Sequence, residues 1–185
     1  MIFSPAPLGG VFVIEMEKFQ DERGYFARSW CAKEFAQHNL DANLVQCSVS
    51  FNRTAGTLRG MHFQIPPYGE TKLVRCTRGA LFDVALDLRP HSPTFLKWFG
   101  VELTVDNGKM LYIPKGFAHG FQTVADETDV LYQMADNYVP DAARGVRWND
   151  PLFGIKWPKA TTVISQRDRD YPDSTREHFS MMVGS

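Results

Sequence analysis

The stretch Lys72-Leu73-Val74-Arg75-Cys76-Thr77, followed by Gly79 and then Leu81-Phe82-Asp83-Val84-Ala85-Leu86-Asp87-Leu88, decides the fold class. Phe82, Val84, Leu86 and Leu88 alternate with Asp83 and Asp87, the period of two that sends successive side chains to opposite faces of a strand. The glycine between the two runs marks a turn. Outward from this pair the same pattern repeats. Residues 11–17, 25–31, 45–51 and 57–64 read as strands upstream, and 95–104, 110–113, 117–124 and 130–138 read as strands downstream. Gly, Pro, Asn or Asp separates nearly every pair, as at Pro66-Pro67, Pro90, Asp106-Asn107-Gly108 and Pro114. Residues 32–38 form the one clear helical stretch, which Asn39 ends. Many short strands at regular spacing predict a mainly β fold with a few short helices, a sandwich or barrel. A jelly roll is the commonest closed solution. The barrel core is expected at about 11–148 of a single domain, with the Pro-rich, polar remainder, about 149–185, wrapped around it.

Composition narrows the function classes. The 185 residues are enough for one core and short for two. A hydrophobic share of 44% with 22% charged residues is ordinary for a globular chain, and 13% aromatics suits strands that pack flat rings. A net charge of −1 argues against a nucleic-acid surface, although 20 Lys and Arg leave room for one basic cleft. Cys31, Cys47 and Cys76 are odd in number and form no CxxC pair, which argues against a disulfide scaffold or a thiolate zinc site. No apolar run approaches a membrane span, and no basic-then-apolar leader stands near Met1. The expectation is a reduced, cytoplasmic protein with no membrane partner.

Among the five histidines, His38, His91 and His178 sit in polar or turn contexts that solvent exposure explains. His62 and His119 lie inside apolar strands. Either one alone reads as a hydrogen-bonded core histidine; two in one small barrel suggest a shared polar pocket. No His-x-His or His-x-x-x-His spacing marks a metal site, so none is expected. Lys72 shares a strand face with Val74 and Cys76, so it faces inward if they do. There it needs an anion, unless its stem lies on apolar surface with the head in water. Tyr132 reads as a core tyrosine, Asp168 as a loop carboxylate, and Arg23, Arg28, Arg59 and Arg167 as surface charge when each is taken singly.

Together these residues carry a resemblance. Leu58-Arg59-Gly60-Met61-His62-Phe63-Gln64, Lys72-Leu73-Val74-Arg75-Cys76, Phe82 through Arg89 and Ser92-Pro93-Thr94-Phe95 resemble the dTDP-4-dehydrorhamnose 3,5-epimerase family. So do Ile113 through Phe121, Arg147-Trp148-Asn149-Asp150-Pro151 and Gly154-Ile155-Lys156-Trp157-Pro158, in order along most of the chain. The resemblance implies a cupin-like jelly roll, a homodimer and a reaction without metal or cofactor, on a nucleotide-diphosphate 4-keto-6-deoxyhexose. It implies His62 as base, Asp168 as its orienting carboxylate, Tyr132 as acid on the opposite sugar face, and Lys72 at the ketone oxygen. Arg59 and His119 would hold the sugar, Arg23 would meet the diphosphate, and Arg28, Gln46 and Arg167 would lie at the rim. These residue types suit the chemistry: a proton beside a ketone needs a base and a stabilised enolate, and inversion needs an acid facing that base.

The chain also departs from the family pattern. Arg28 stands where a glutamate is common, Leu44-Val45-Gln46 where Gln-x-Asn is common, and Arg167 where a lysine is usual; a glutamate is also usual near Ala143. These positions lie toward the nucleotide and the rim, so the nucleotide base stays open at this point, between dTDP and a CDP or GDP sugar. Whether C3, C5 or both invert also stays open.

Overall fold

The computed structural model describes residues 1–181; the last four residues of the expected wrap, 182–185, lie outside the described residues. Fourteen strands run in chain order: β1 (Ile2–Pro5), β2 (Phe12–Glu15), β3 (Lys18–Asp21), β4 (Gly24–Ala27), β5 (Gln46–Asn52), β6 (Thr57–Gln64), β7 (Lys72–Arg78), β8 (Ala80–Asp87), β9 (Trp98–Thr104), β10 (Lys109–Ile113), β11 (Phe117–Thr123), β12 (Thr128–Met134), β13 (Ala143–Gly145) and β14 (Val163–Ile164). Three short helices accompany them: α1 (Ala32–Gln37), α2 (Gln166–Asp170) and α3 (Arg176–Met181). One six-stranded sheet has the order β1-β2-β10-β7-β12-β5. A second runs β13-β6-β11-β8-β9, with β14 added parallel to β6. β3 and β4 form a separate hairpin.

The two sheets face each other around an apolar interior that includes Val74, Cys76, Leu81, Ala85, Leu111, Phe121 and Val130. This is the mainly β jelly-roll architecture expected from the alternation. Val74 and Cys76 point inward, and so does Lys72. Burial pushes the Cys76 thiol up to about 11, so it stays a neutral packing group. Two further apolar layers close the outer faces. Phe35 of α1 packs with Ile14, Leu73 and Tyr112 behind the first sheet. Phe153, Ile155 and Phe179 pack with Val84, Leu86 and Ala118 behind the second. The C-terminal segment therefore wraps the barrel and also contributes apolar side chains.

That second layer explains why the alternation in β8 does not mean apolar inside and polar outside. Asp83 and Asp87 lie on the interior face and are fully buried. The Asp87 carboxylate is saturated by Arg89 (2.7 and 2.9 Å), Ser92 Oγ (2.6 Å) and Thr94 Oγ1 (2.6 Å), which gives the Ser92-Pro93-Thr94 turn a structural reason. Burial opposes its charge, but these donors hold it below the ordinary carboxylate range. Element ends shift where turns intervene: the strand expected at 95–104 begins only at Trp98, because Leu96 takes a positive φ of 63° in the preceding turn. The strand expected at 25–31 stops at Ala27. β1 and α2 carry too few residues to show a period. Among the described residues, no helix is long and apolar enough to cross a membrane.

One close approach positions the site. A Cβ on Gly120 would stand 2.6 Å from Met61 Sδ and 2.8 Å from the Arg59 carbonyl oxygen, and one on Gly60 would stand 2.5 Å from Gly120 Cα. β6 and β11 can touch only because neither residue has a side chain, and the contact sets His62 opposite His119 just before a register shift. Gly120→Ala should therefore destabilise the fold by about 2–3 kcal/mol through overpacking. Urea unfolding reads this directly, and an unchanged midpoint contradicts it.

Candidate active site

Between the sheets lies a cavity of ≈ 610 Å³, within the ordinary range for small-ligand sites. Its walls come from opposite sheets. Arg59 and His62 project from β6 and His119 from β11; Gln46 and Ser48 of β5, Lys72 of β7 and Tyr132 of β12 face them. Arg167 and Asp168 enter from α2.

The imidazole of His62 is 40% exposed, while the Asp168 side chain is only 5% exposed. His62 Nε2 lies 2.6 Å from Asp168 Oδ1, and the Gly60 N–H donates to the other carboxylate oxygen at 3.3 Å. Sequence alone left Asp168 in a loop. It sits instead in a short helix whose N-cap, Ser165, accepts from the Asp168 N–H at 3.1 Å. Burial raises its pKa, but the His62 hydrogen bond, the imidazole's charge and the Gly60 donor outweigh this and hold the carboxylate below its ordinary range. With Nε2 committed to a carboxylate, Nδ1 is the nitrogen left for a substrate proton.

On the other wall, Tyr132 is half-buried and lines the cavity. Burial raises its pKa far above the ordinary phenol value; the Asp83 charge adds to this and Arg59 offsets part of it. The phenol therefore keeps its proton at neutral pH. Its ring meets His119 edge-on at 5.8 Å. The His119 side chain is 5% exposed and its Nε2 lies 2.7 Å from Asp83 Oδ1, while Asp83 Oδ2 is buried without a hydrogen-bond partner. Lys72 Nζ lies 2.7 Å from a Glu70 carboxylate oxygen, and both side chains are 10% exposed. The anion that an inward lysine needs is thus two residues away.

At the rim, Arg59 Nε donates to Asn52 Oδ1 at 2.8 Å and Arg167 Nε donates to the Tyr171 hydroxyl at 2.8 Å. Gln46 Oε1 accepts from the Tyr138 N–H at 3.4 Å. Eight of the ten expected site residues thus gather at one cavity, and Arg23 and Arg28 do not. Arg23 pairs with Asp21 at the exposed hairpin turn, and Arg28 with Glu34 at 2.6 Å. Ser48, Glu70, Tyr138 and Asp83 escaped the sequence reading. Ser48 could have been found, since it shares the β5 face of Gln46 by period two; Glu70 precedes its strand and carries no such signal. Among the described residues, no group of three or more His, Cys, Asp or Glu side chains is placed to hold a metal ion.

Comparison with known proteins agrees with this geometry. The family model described as dTDP-4-dehydrorhamnose 3,5-epimerase matches residues 5–175. A dTDP-4-dehydrorhamnose 3,5-epimerase of Sinorhizobium fredii is 46% identical over 93% of this chain and 89% of its own length. A dTDP-4-dehydrorhamnose 3-epimerase of Streptomyces niveus is 36% identical over 92% of this chain and 82% of its own. The crystal structure of a dTDP-4-dehydrorhamnose 3,5-epimerase from Bacillus anthracis, with TDP and pyrophosphate bound, superposes with a TM-score of 0.90. It is 39% identical and covers 94% of this chain and 99% of that one.

A depressed carboxylate contributes stability above its unfolded pKa of about 4, and that stability is lost as pH falls through the folded value. The wild-type advantage over Asp168→Asn should therefore be largest above about pH 5 and shrink steadily toward about pH 2. Urea midpoints of both proteins across that window test this, and a gap that does not change with pH contradicts it.

Proposed function

The chain belongs to the dTDP-4-dehydrorhamnose 3,5-epimerase family, and on that premise we propose that it epimerises dTDP-4-dehydro-6-deoxyglucose at C3 and C5 to dTDP-4-dehydrorhamnose. The observation that carries this reading is the placement of an imidazole and a phenol on opposite walls of one cavity, with an ammonium beside the phenol's strand.

The steps follow from the side chains. His62 Nδ1 takes the proton from the carbon next to the C4 ketone, and the C–H electron pair forms the enolate. Asp168 steadies the resulting imidazolium. Lys72 meets the negative charge that develops on the ketone oxygen, where a fixed cation in a dry pocket is most effective. Tyr132 returns a proton to the opposite face of the same carbon, which inverts it. Exchange with solvent takes the proton from His62 and restores the one on Tyr132, and a repeat at the second carbon then completes the product. Arg59, His119, Gln46 and Arg167 hold the sugar and nucleotide from the rim. The Streptomyces niveus relative supports a second reading, inversion at C3 alone. Arg28, tied to Glu34 away from the cavity, does not bear on that choice within one chain.

The 185 residues act as one epimerase domain, and the working form is a homodimer. Val49 and Phe51 leave an apolar stripe on the edge strand β5, and Phe19 and Phe26 of the β3–β4 hairpin are 69% and 77% exposed. Covering such surfaces is what a second copy does. Arg23, paired with Asp21 at the exposed hairpin turn, would exchange that carboxylate for the diphosphate in a partner's cavity. The enzyme works in the cytoplasm, because a nucleotide sugar is too charged to cross a bilayer unaided.

His62→Ala should keep the fold and lower epimerisation at least ~100-fold. Proton NMR in deuterated water measures this as deuterium entering C3 and C5; incorporation at C3 alone selects the second reading, and undiminished exchange removes His62 as base. Tyr132→Phe should lower kcat far more than it changes KM, and unchanged turnover would remove the acid assignment. Light scattering should report a dimer at working concentration; a monomer contradicts the shared site.

A further inference from the structure

The cavity holds a carboxylate for which the epimerisation steps give no role. Glu70 lines it beside Lys72, 2.7 Å away, and the two side chains are equally sheltered at 10% exposure. A negative charge there should be harmful, since it opposes the charge that forms on the ketone oxygen. Its presence therefore calls for a function.

We propose that Glu70 is a positioning residue for Lys72: its carboxylate fixes the sheltered ammonium in place for the enolate oxygen. The inference rests on the oxyanion role given to Lys72 above. An ammonium with little water around it stands only beside a compensating anion, and removing one partner of such a pair leaves the other uncompensated. The backbone suits a fixed anchor. Thr71, between the two residues, donates its N–H to Asp136 Oδ2 at 3.3 Å, and its carbonyl oxygen accepts from the Ala135 N–H at 3.1 Å. Asp136 is itself held by Lys115 at 2.6 Å. The segment carrying Glu70 is thus clamped to the end of β12, and Lys72 is paired with Met134 of the same strand.

A double-mutant cycle tests this, with Glu70→Gln, Lys72→Met and the double variant compared on the dTDP-linked 4-keto sugar. Glu70→Gln should lower kcat roughly 10- to 100-fold, less than the full loss of an oxyanion partner, and move KM by less than about 3-fold. Lys72→Met should lower kcat at least ~100-fold, and the double variant should be no worse than Lys72→Met alone within about 3-fold. Non-additivity of this kind marks action through Lys72, which a merely structural role would not produce. Wild-type kcat in Glu70→Gln, or multiplying losses in the double variant, overturns the inference while leaving the role of Lys72 intact. Unimpaired turnover in Lys72→Met removes that role, and the inference with it. If Glu70→Gln does not fold, Glu70→Asp takes its place in the cycle, with a smaller loss in kcat and the same non-additivity expected.

Discussion

The 2.6 Å contact between His62 and Asp168 ties the barrel to the segment wrapped around it. It commits one imidazole nitrogen to a buried carboxylate and leaves the other for the substrate. It also anchors α2, and with it Arg167, against β6. If Asp168 left its position, the cavity would lose part of its wall as well as the base's partner. The same principle recurs across the site: His119 leans on Asp83 and Lys72 on Glu70. Polar groups survive between two apolar sheets because each is matched by another close by.

Opposite walls are the second constraint. Inversion at carbon needs proton donor and acceptor on different faces of the ring, and two facing sheets supply different faces without any special loop. β6 carries His62 and β12 carries Tyr132, so the architecture sets the proposed base and the proposed acid on separate walls. The Gly60–Gly120 approach then sets the depth of the base relative to its neighbours. His62, Lys72 and Tyr132 all stand on strands of the two sheets, not on loops.

Much of this was legible in the sequence. Period-two runs gave the β class and most strands, whereas the shared face of Lys72, Val74 and Cys76 left the lysine's direction conditional, and the structure turns it inward. The residues with chemical potential stood out as polar side chains in apolar strands, as His62 and His119 do. Other features were hidden for physical reasons. Alternation put Asp83 and its apolar neighbours on opposite faces without saying which face is inside; the C-terminal segment buries the apolar face and leaves the aspartate in the interior. Asp168 sits in a single helical turn, too short to show a period. Arg23 and Arg28 lie away from the cavity, each held by a nearby carboxylate, Asp21 and Glu34, a pairing that single residues in the sequence do not announce.

The central claim is spatial: one sugar ring between His62 and Tyr132, with Lys72 at its carbonyl oxygen. A crystal structure with a slowly reacting dTDP-4-keto sugar analogue bound tests it most directly. The account predicts His62 Nδ1 and the Tyr132 hydroxyl on opposite faces of the ring, each within about 3–3.5 Å of a carbon flanking C4 or its hydrogen, and Lys72 Nζ in hydrogen-bond reach of O4. A ring bound with both groups on one face, or with Lys72 on the diphosphate instead, would contradict it.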